Sequence, residues 1–185
     1  MPTTTLSIGR DRPSWLPVAR AAGFALALAA ASQVAIPLPG TPVPLTLQPM
    51  LVVLAGMMLG PRAGAASMAL FLAAGAAGVP VFTPGPTLGV ARLFGVTGGY
   101  LLAYPTAAFV SGWLAQRAGS FARRTLAAMA GMGVIYVGGL AQLALLTGSL
   151  ERAALLGVAP FVAADAVKSI VAAALTGSRG ARRSS

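Results

Sequence analysis

The sequence predicts an all-α integral membrane protein with six transmembrane helices, on three observations. Of 185 residues, 57% are hydrophobic and only 9% charged, against roughly a quarter charged in an ordinary soluble domain. Such a surface must face something other than water. Several apolar runs approach the ~20 residues that a helix needs to cross a bilayer. The arginines cluster at the ends of those runs, which also argues against nucleic acid as the reason for the net charge of +10. Cysteine and histidine are absent. Their absence excludes disulfides, thiol catalysis, thiolate or imidazole metal ligands and histidine general bases.

Taken in order, residues 1–14 form a polar cytoplasmic tail with Arg10 and Arg12. The first helix is predicted over 15–36. Its "ALALAAASQVAI" has basic flanks but no small-residue cleavage site, so it is read as a retained helix. "PLPGTPVPLTLQP" at 37–49 follows, with five prolines. Proline lacks an amide hydrogen and holds its predecessor extended, which gives a semi-rigid loop. A short second helix is expected over 48–59, a turn at Pro61 and Arg62, and a third helix to about Gly78. "VPVFTPGPTLGVARLFGV" at 79–96 has no period and many apolar residues, so it is expected to pack on the protein as a functional loop. The fourth helix is predicted over 97–117, capped by Thr97 and kinked at Pro105. The fifth spans 124–147 and the sixth 153–176. Residues 15–177 thus form one solute-binding domain, and 178–185 a basic cytoplasmic tail.

Charge asymmetry orients this arrangement. With the N-terminus inside, the cytoplasmic side holds Arg10, Arg12, Arg20, Arg62, Arg117, Arg123, Arg124, Arg179, Arg182 and Arg183, and the outer side only Arg92 and Arg152. The bias puts both termini in the cytoplasm. Loops 37–47 and 79–96 then face outward together, as a roof over a site that captures something from outside. Trp15 and Trp113 lie near predicted helix ends, as interfacial anchors do.

The last run, "FVAADAVKSIVAAAL", contains Asp165, one of three acidic residues, and Lys168, the only lysine. Three residues apart on a helix, they share a face. A charge at the bilayer centre costs about 2.5–3.5 kcal/mol, so the pair needs a reason. It is either a self-neutralising packing pair, a contact for a polar solute, or a proton relay. For a solute, lysine donates to an oxygen and aspartate accepts from N–H groups.

Three stretches together resemble one family. "IPLPGTPVPLTLQPMLVVLAGMMLGPRAGAASM" at 36–68, "GVPVF" with "GVTGGYLLAYPTAAF" within 78–109, and "PFVAADAVKSIVAAAL" at 160–175 are similar, in order and spacing, to the BioY family. These are the biotin-specific S components of energy-coupling-factor (ECF) transporters. The resemblance spans roughly 15–176; Val96 departs from it, where the family commonly has proline. It implies capture of biotin from outside, in a bacterial cytoplasmic membrane. It also implies assembly with a transmembrane coupling subunit and two ATPase subunits, to which ATP hydrolysis would belong; this chain has no G-x-x-x-x-G-K-[ST] phosphate loop. No cofactor is implied, biotin being cargo.

By the same resemblance the ligand contacts fall on Asp165 and Lys168 and on the element Gly98, Gly99 and Tyr100. Glycines admit close backbone approach, and tyrosine offers a flat face with a polar tip, although Tyr100 also reads as an interfacial anchor. Gln48 either hydrogen-bonds a ureido group or caps the second helix. Arg92 either meets a carboxylate or is a solvated charge. Ala21, Ala25 and Ala29 repeat every four residues on the first helix. Such a ridge permits close helix approach and is expected either to dock the coupling subunit or to pack within its own bundle. The competing readings are an S component for another vitamin, an intramembrane enzyme, for which no nucleophile–base constellation is present, and a structural membrane protein.

Overall fold

The computed structural model describes residues 15–177. The two expected tails, with Arg10, Arg12, Arg179, Arg182 and Arg183, lie outside them. Among the described residues the chain forms α1 (Leu16–Ser32), β1 (Ala35–Ile36), β2 (Leu45–Thr46), α2 (Gln48–Leu59), α3 (Pro61–Ala76), a 3-10 helix (Gly89–Phe94), α4 (Gly98–Ala115), α5 (Phe121–Thr147), α6 (Leu150–Gly157) and α7 (Val162–Gly177).

The exterior is apolar. α5 is long and hydrophobic enough to cross a membrane, yet only 28% of its most apolar stretch is buried. Leu145 on it is 85% exposed. Side chains of this kind are unfavourable in water and suit hydrocarbon. α6 and α7 meet the same length and hydropathy test only as a pair bent by 55°.

That bend corrects the sixth predicted helix. Residues 153–176 are not one helix: α6 ends at Gly157, and α7 begins at Val162. Pro160 has no amide hydrogen and cannot continue the helical ladder. Ser149 starts α6 by accepting from the Arg152 amide at 3.3 Å, and Ser120 does the same for α5 from Arg123 at 3.3 Å. Gly148 separates α5 and α6 in a left-handed conformation, φ 67°, which glycine adopts without a Cβ penalty. Thr97, expected to cap α4, precedes it without a side-chain capping bond. α4 runs on through Pro105.

Small residues build the interior where the helices cross most closely. α2, α3 and α4 converge at Gly56, Gly64 and Gly112. A Cβ on Gly56 would run into the Ala108 carbonyl, and one on Gly112 would lie 2.5 Å from the Gly56 carbonyl oxygen. Inside a membrane, where apolar burial does not drive helix pairing, such close packing is what holds helices together. Ser111 donates to the Val53 carbonyl at 3.3 Å and the Ala108 carbonyl at 3.2 Å, tying α4 to α2.

α1 packs on α3 and α2, and the contact corrects the expected docking ridge. Ala25 is buried, Ala29 packs against the core, and the Ala21 carbonyl accepts from Ser67 on α3 at 2.6 Å. The Ala21, Ala25 and Ala29 face is therefore an internal face. The exposed small residues of α1, Ala19, Gly23, Ala27 and Ala30, lie on the opposite side.

Both irregular segments lie over one end of the bundle. The proline loop is closed by antiparallel pairing of Ala35 with Thr46 and Ile36 with Leu45, and Thr41 donates to the Leu156 carbonyl at 2.5 Å. The 79–96 segment is held to the end of α1: Ser32 donates to the Val81 carbonyl, and Gln33 Nε2 donates to the carbonyls of Pro80 (3.2 Å) and Phe82 (3.3 Å). Phe82 packs edge-on against Phe71, 5.4 Å between ring centres. Trp15 and Trp113 are both exposed, and Arg117 stacks 4.3 Å over the Trp113 ring.

Candidate functional site

The break between α6 and α7 builds the site. It places Asp165 in the first turn of a helix and Lys168 in the next, rather than in the middle of an unbroken helix. An anion is favoured near a helix N-terminus, where unpaired amides carry partial positive charge. Lys168 Nζ donates to Asp165 Oδ1 at 2.7 Å, the one salt bridge among the described residues. Tyr136 on α5 donates to Asp165 Oδ2 at 2.6 Å. The aspartate, 5% exposed, and the lysine, 8% exposed, are thus buried as a pair with a third partner. Lysine has three donors, and only one is engaged within the described protein.

Tyr100 closes the other side of the break. Its hydroxyl donates to the Gly157 carbonyl at 2.8 Å, satisfying an end carbonyl of α6. Glycine is needed at 139 and 157 for this, since a Cβ at either would run into the tyrosine. One turn along α4, Tyr104 donates to Gln48 Oε1 at 3.3 Å. Thr46 Oγ1 lies 3.4 Å from the same oxygen. Gln48 is 4% exposed, and its Nε2 is buried without a hydrogen-bond partner. A buried unmet donor costs about 1–3 kcal/mol, so something else is expected to satisfy it.

These groups surround one cavity, with Ile135 and Phe161 as apolar wall and Thr83 and Arg92 at its loop side. About 50 Å³ of it is open to water-sized molecules. The chemistry is specific: two or more unused N–H donors, a carboxylate, three phenols and hydrophobic walls. It suits a small, neutral or anionic solute with both donors and acceptors. Among the described residues no cluster of acidic side chains is grouped to hold a metal ion.

Of the residues singled out from the sequence, Asp165, Lys168, Tyr100, Gln48 and Arg92 all line this cavity. Gly98 and Gly99 do not. Gly98 packs on the Leu93 carbonyl, and Gly99 packs on Gly138 and Gln142 of α5. They bring α4 close to α5 instead of approaching a solute. Tyr104, Tyr136, Thr46 and Phe161 were not anticipated. A signal existed for Tyr104, which follows Tyr100 by four residues on one helix face. All three tyrosines of the chain line the cavity, a concentration that composition alone does not locate.

The sequence model described as "BioY family" matches residues 6–184. The "Probable biotin transporter BioY" of Pyrococcus horikoshii is 43% identical over 131 residues, 71% of this chain and 76% of that one. The "Biotin transporter BioY" of Thermotoga maritima is 39% identical over 138 residues, 75% of this chain and 81% of that one. Among solved structures, a crystal structure of the S-component for biotin from an ECF-type ABC transporter superposes with a TM-score of 0.80 at 24% identity, covering 90% of each chain. At that identity the match speaks for the fold.

Proposed function

The chain belongs to the BioY family, and from that premise we propose that it is a biotin transport subunit whose solute site is the cavity under the two loops. It is a membrane protein and not an enzyme. The observation that carries the reading is the convergence of Lys168, Asp165 and the unmet Gln48 amide in one buried space. Biotin is a fused bicycle with a ureido group at one end and a carboxylate at the other. The ureido group matches this set: Lys168 and Gln48 donate to its oxygen, and Asp165 accepts from its N–H groups. The rings lie against Tyr100, Tyr104 and Phe161. The carboxylate tail points toward the loop side and Arg92. Filling the space requires the loops to part, because the room present is small.

Counting α6 and α7 as one broken span gives six crossings, both termini in the cytoplasm and the loops outward, in a bacterial cytoplasmic membrane. The site needs no cofactor of its own. Energy comes from a transmembrane coupling subunit and two ATPase subunits. The exposed Ala19, Gly23 and Ala27 face of α1 is the surface offered to the coupling subunit, since the opposite face is filled by α3.

The test is retention of radiolabelled biotin by the purified, detergent-solubilised protein, with desthiobiotin and riboflavin as competitors. Biotin retained and displaced by desthiobiotin but not by riboflavin supports the reading. Displacement by riboflavin alone would assign another vitamin. For orientation, cysteines at Thr41 and Thr87 should react with an impermeant thiol reagent on intact cells; protection of both overturns the outward loops.

A further inference from the structure

We infer that the space between the two outer loops is an entrance vestibule in which Arg92 takes the carboxylate of an incoming solute before the solute reaches the inner cavity. The inference rests on the biotin reading above and concerns the path to the site.

Arg92 stands between two cavities. It lines the inner one with Lys168, and it also lines an outer one between the proline loop and Thr83–Pro86. Val43, Pro44 and Thr83 are shared by both as well, so the two spaces adjoin at a neck. Their sizes differ in a telling direction. The outer space has about 480 Å³ open to water-sized molecules, and the inner about 50 Å³. The outer space is therefore the roomier of the two for an arriving solute.

The charge pattern points the same way. Across both loops, 37–47 and 79–96, Arg92 is the single charged residue. It makes no ion pair among the described residues, and its Nε is buried without a partner. The surrounding walls are largely proline, glycine and valine, so they neither neutralise the guanidinium nor compete for an anion. A lone cation in a cleft with low-dielectric walls focuses the field on arriving anions and raises their association rate.

Gly85 leaves room for the arginine. A Cβ at residue 85 would run into the Arg92 guanidinium. The guanidinium lies against this glycine on the loop that roofs the neck. A side chain at residue 85 would push the guanidinium from its place, so Gly85 acts on the solute only through the space it leaves Arg92.

The experiment is stopped-flow measurement of biotin association and dissociation on the full-length purified protein, at low and high ionic strength. Arg92→Gln is expected to slow association about threefold or more at low salt, with the deficit shrinking as salt screens the charge. Arg92→Lys should restore most of the rate. Gly85→Ala, which keeps the charge but displaces it, should slow association in the same way. For biotinamide, which lacks the carboxylate, none of these changes should matter. An association rate unchanged in Arg92→Gln, with all the loss in faster dissociation, would overturn the vestibule and leave Arg92 as a contact of the final site only. Equal slowing for biotinamide would overturn it too, as would an Arg92→Lys variant no faster than Arg92→Gln. Failure of the unaltered protein to bind biotin would instead overturn the biotin reading, and this inference with it.

Discussion

The seam where α2, α3 and α4 meet and the cavity beneath the loops are built on the same helices, yet they are opposite in character. α2 carries Gln48 at the cavity and Gly56 at the seam. α4 carries Tyr100 and Tyr104 at one end and Gly112 near the other. At the seam, backbones approach until no Cβ fits, and the buried Ser111 hydroxyl finds the Val53 and Ala108 carbonyls. At the cavity, polar side chains are just as buried, but the Gln48 amide is left without a partner. Burial alone therefore does not mark function in this chain. What separates the two regions is whether the buried polar groups are already satisfied, since an apolar interior tolerates unmet donors poorly.

The comparison breaks most readily at the seam. Gly56→Leu should abolish recovery of monodisperse protein, because the side chain has no space against the Ala108 carbonyl. The smaller change Gly56→Ala should cost about 3 kcal/mol of stability or more through overpacking against backbone, read as a lower unfolding temperature. The folded fraction should bind biotin as before. A wild-type melting curve for Gly56→Leu would mean that the seam is looser than described.

A smaller effect is expected from a cavity residue that the seam does not need. Gln48→Leu removes the orphaned amide but also the acceptor of the Tyr104 hydroxyl, so the two changes oppose each other and the unfolding temperature should stay within a few degrees of the original. Binding should weaken by the value of one hydrogen bond, about 0.5–1.5 kcal/mol, or roughly two- to tenfold by titration. Destabilisation without loss of affinity would move Gln48 to the structural side of the comparison.

The smallest effect on the isolated protein is expected on the outer face of α1. Gly23 has no atom within 4 Å of where a Cβ would lie. Gly23→Leu should leave both stability and biotin affinity unchanged while reducing co-purification with coupling subunits and biotin uptake by cells. Ala25→Leu, on the buried face, should destabilise the protein instead. If the two variants exchange behaviours, the faces of α1 have been assigned the wrong way round.

Those two residues also show what the sequence made legible. The bounds of α2 and the two Gly/Pro segments were readable, because proline and glycine act locally on the backbone. The Asp165–Lys168 pair was readable because a charge among apolar residues stands out. The inward face of α1 was not. A membrane helix is apolar toward both lipid and core, so the amphipathic contrast that orients a soluble helix is absent. Small residues every four positions occur on both sides of α1, and spacing cannot say which side meets α3. For the same reason Tyr136 gave no sign that it would reach Asp165. The break before α7 did have a local signal in Gly157 and Pro160. Hydropathy carried the reading across it, because both halves are apolar.

The central claim is that Asp165 and Lys168 serve a solute rather than merely each other. It is tested most directly by calorimetric titration of biotin into the purified protein and into Asp165→Asn and Lys168→Ala. Each variant strands its partner, so both are first shown to be folded by gel filtration and thermal unfolding. The account predicts saturable one-to-one binding by the unaltered chain and at least tenfold weaker binding by each variant, about 1.4 kcal/mol. Well-folded variants that both bind biotin as tightly as the original would contradict it, and would leave the pair as a packing device of the α6–α7 break.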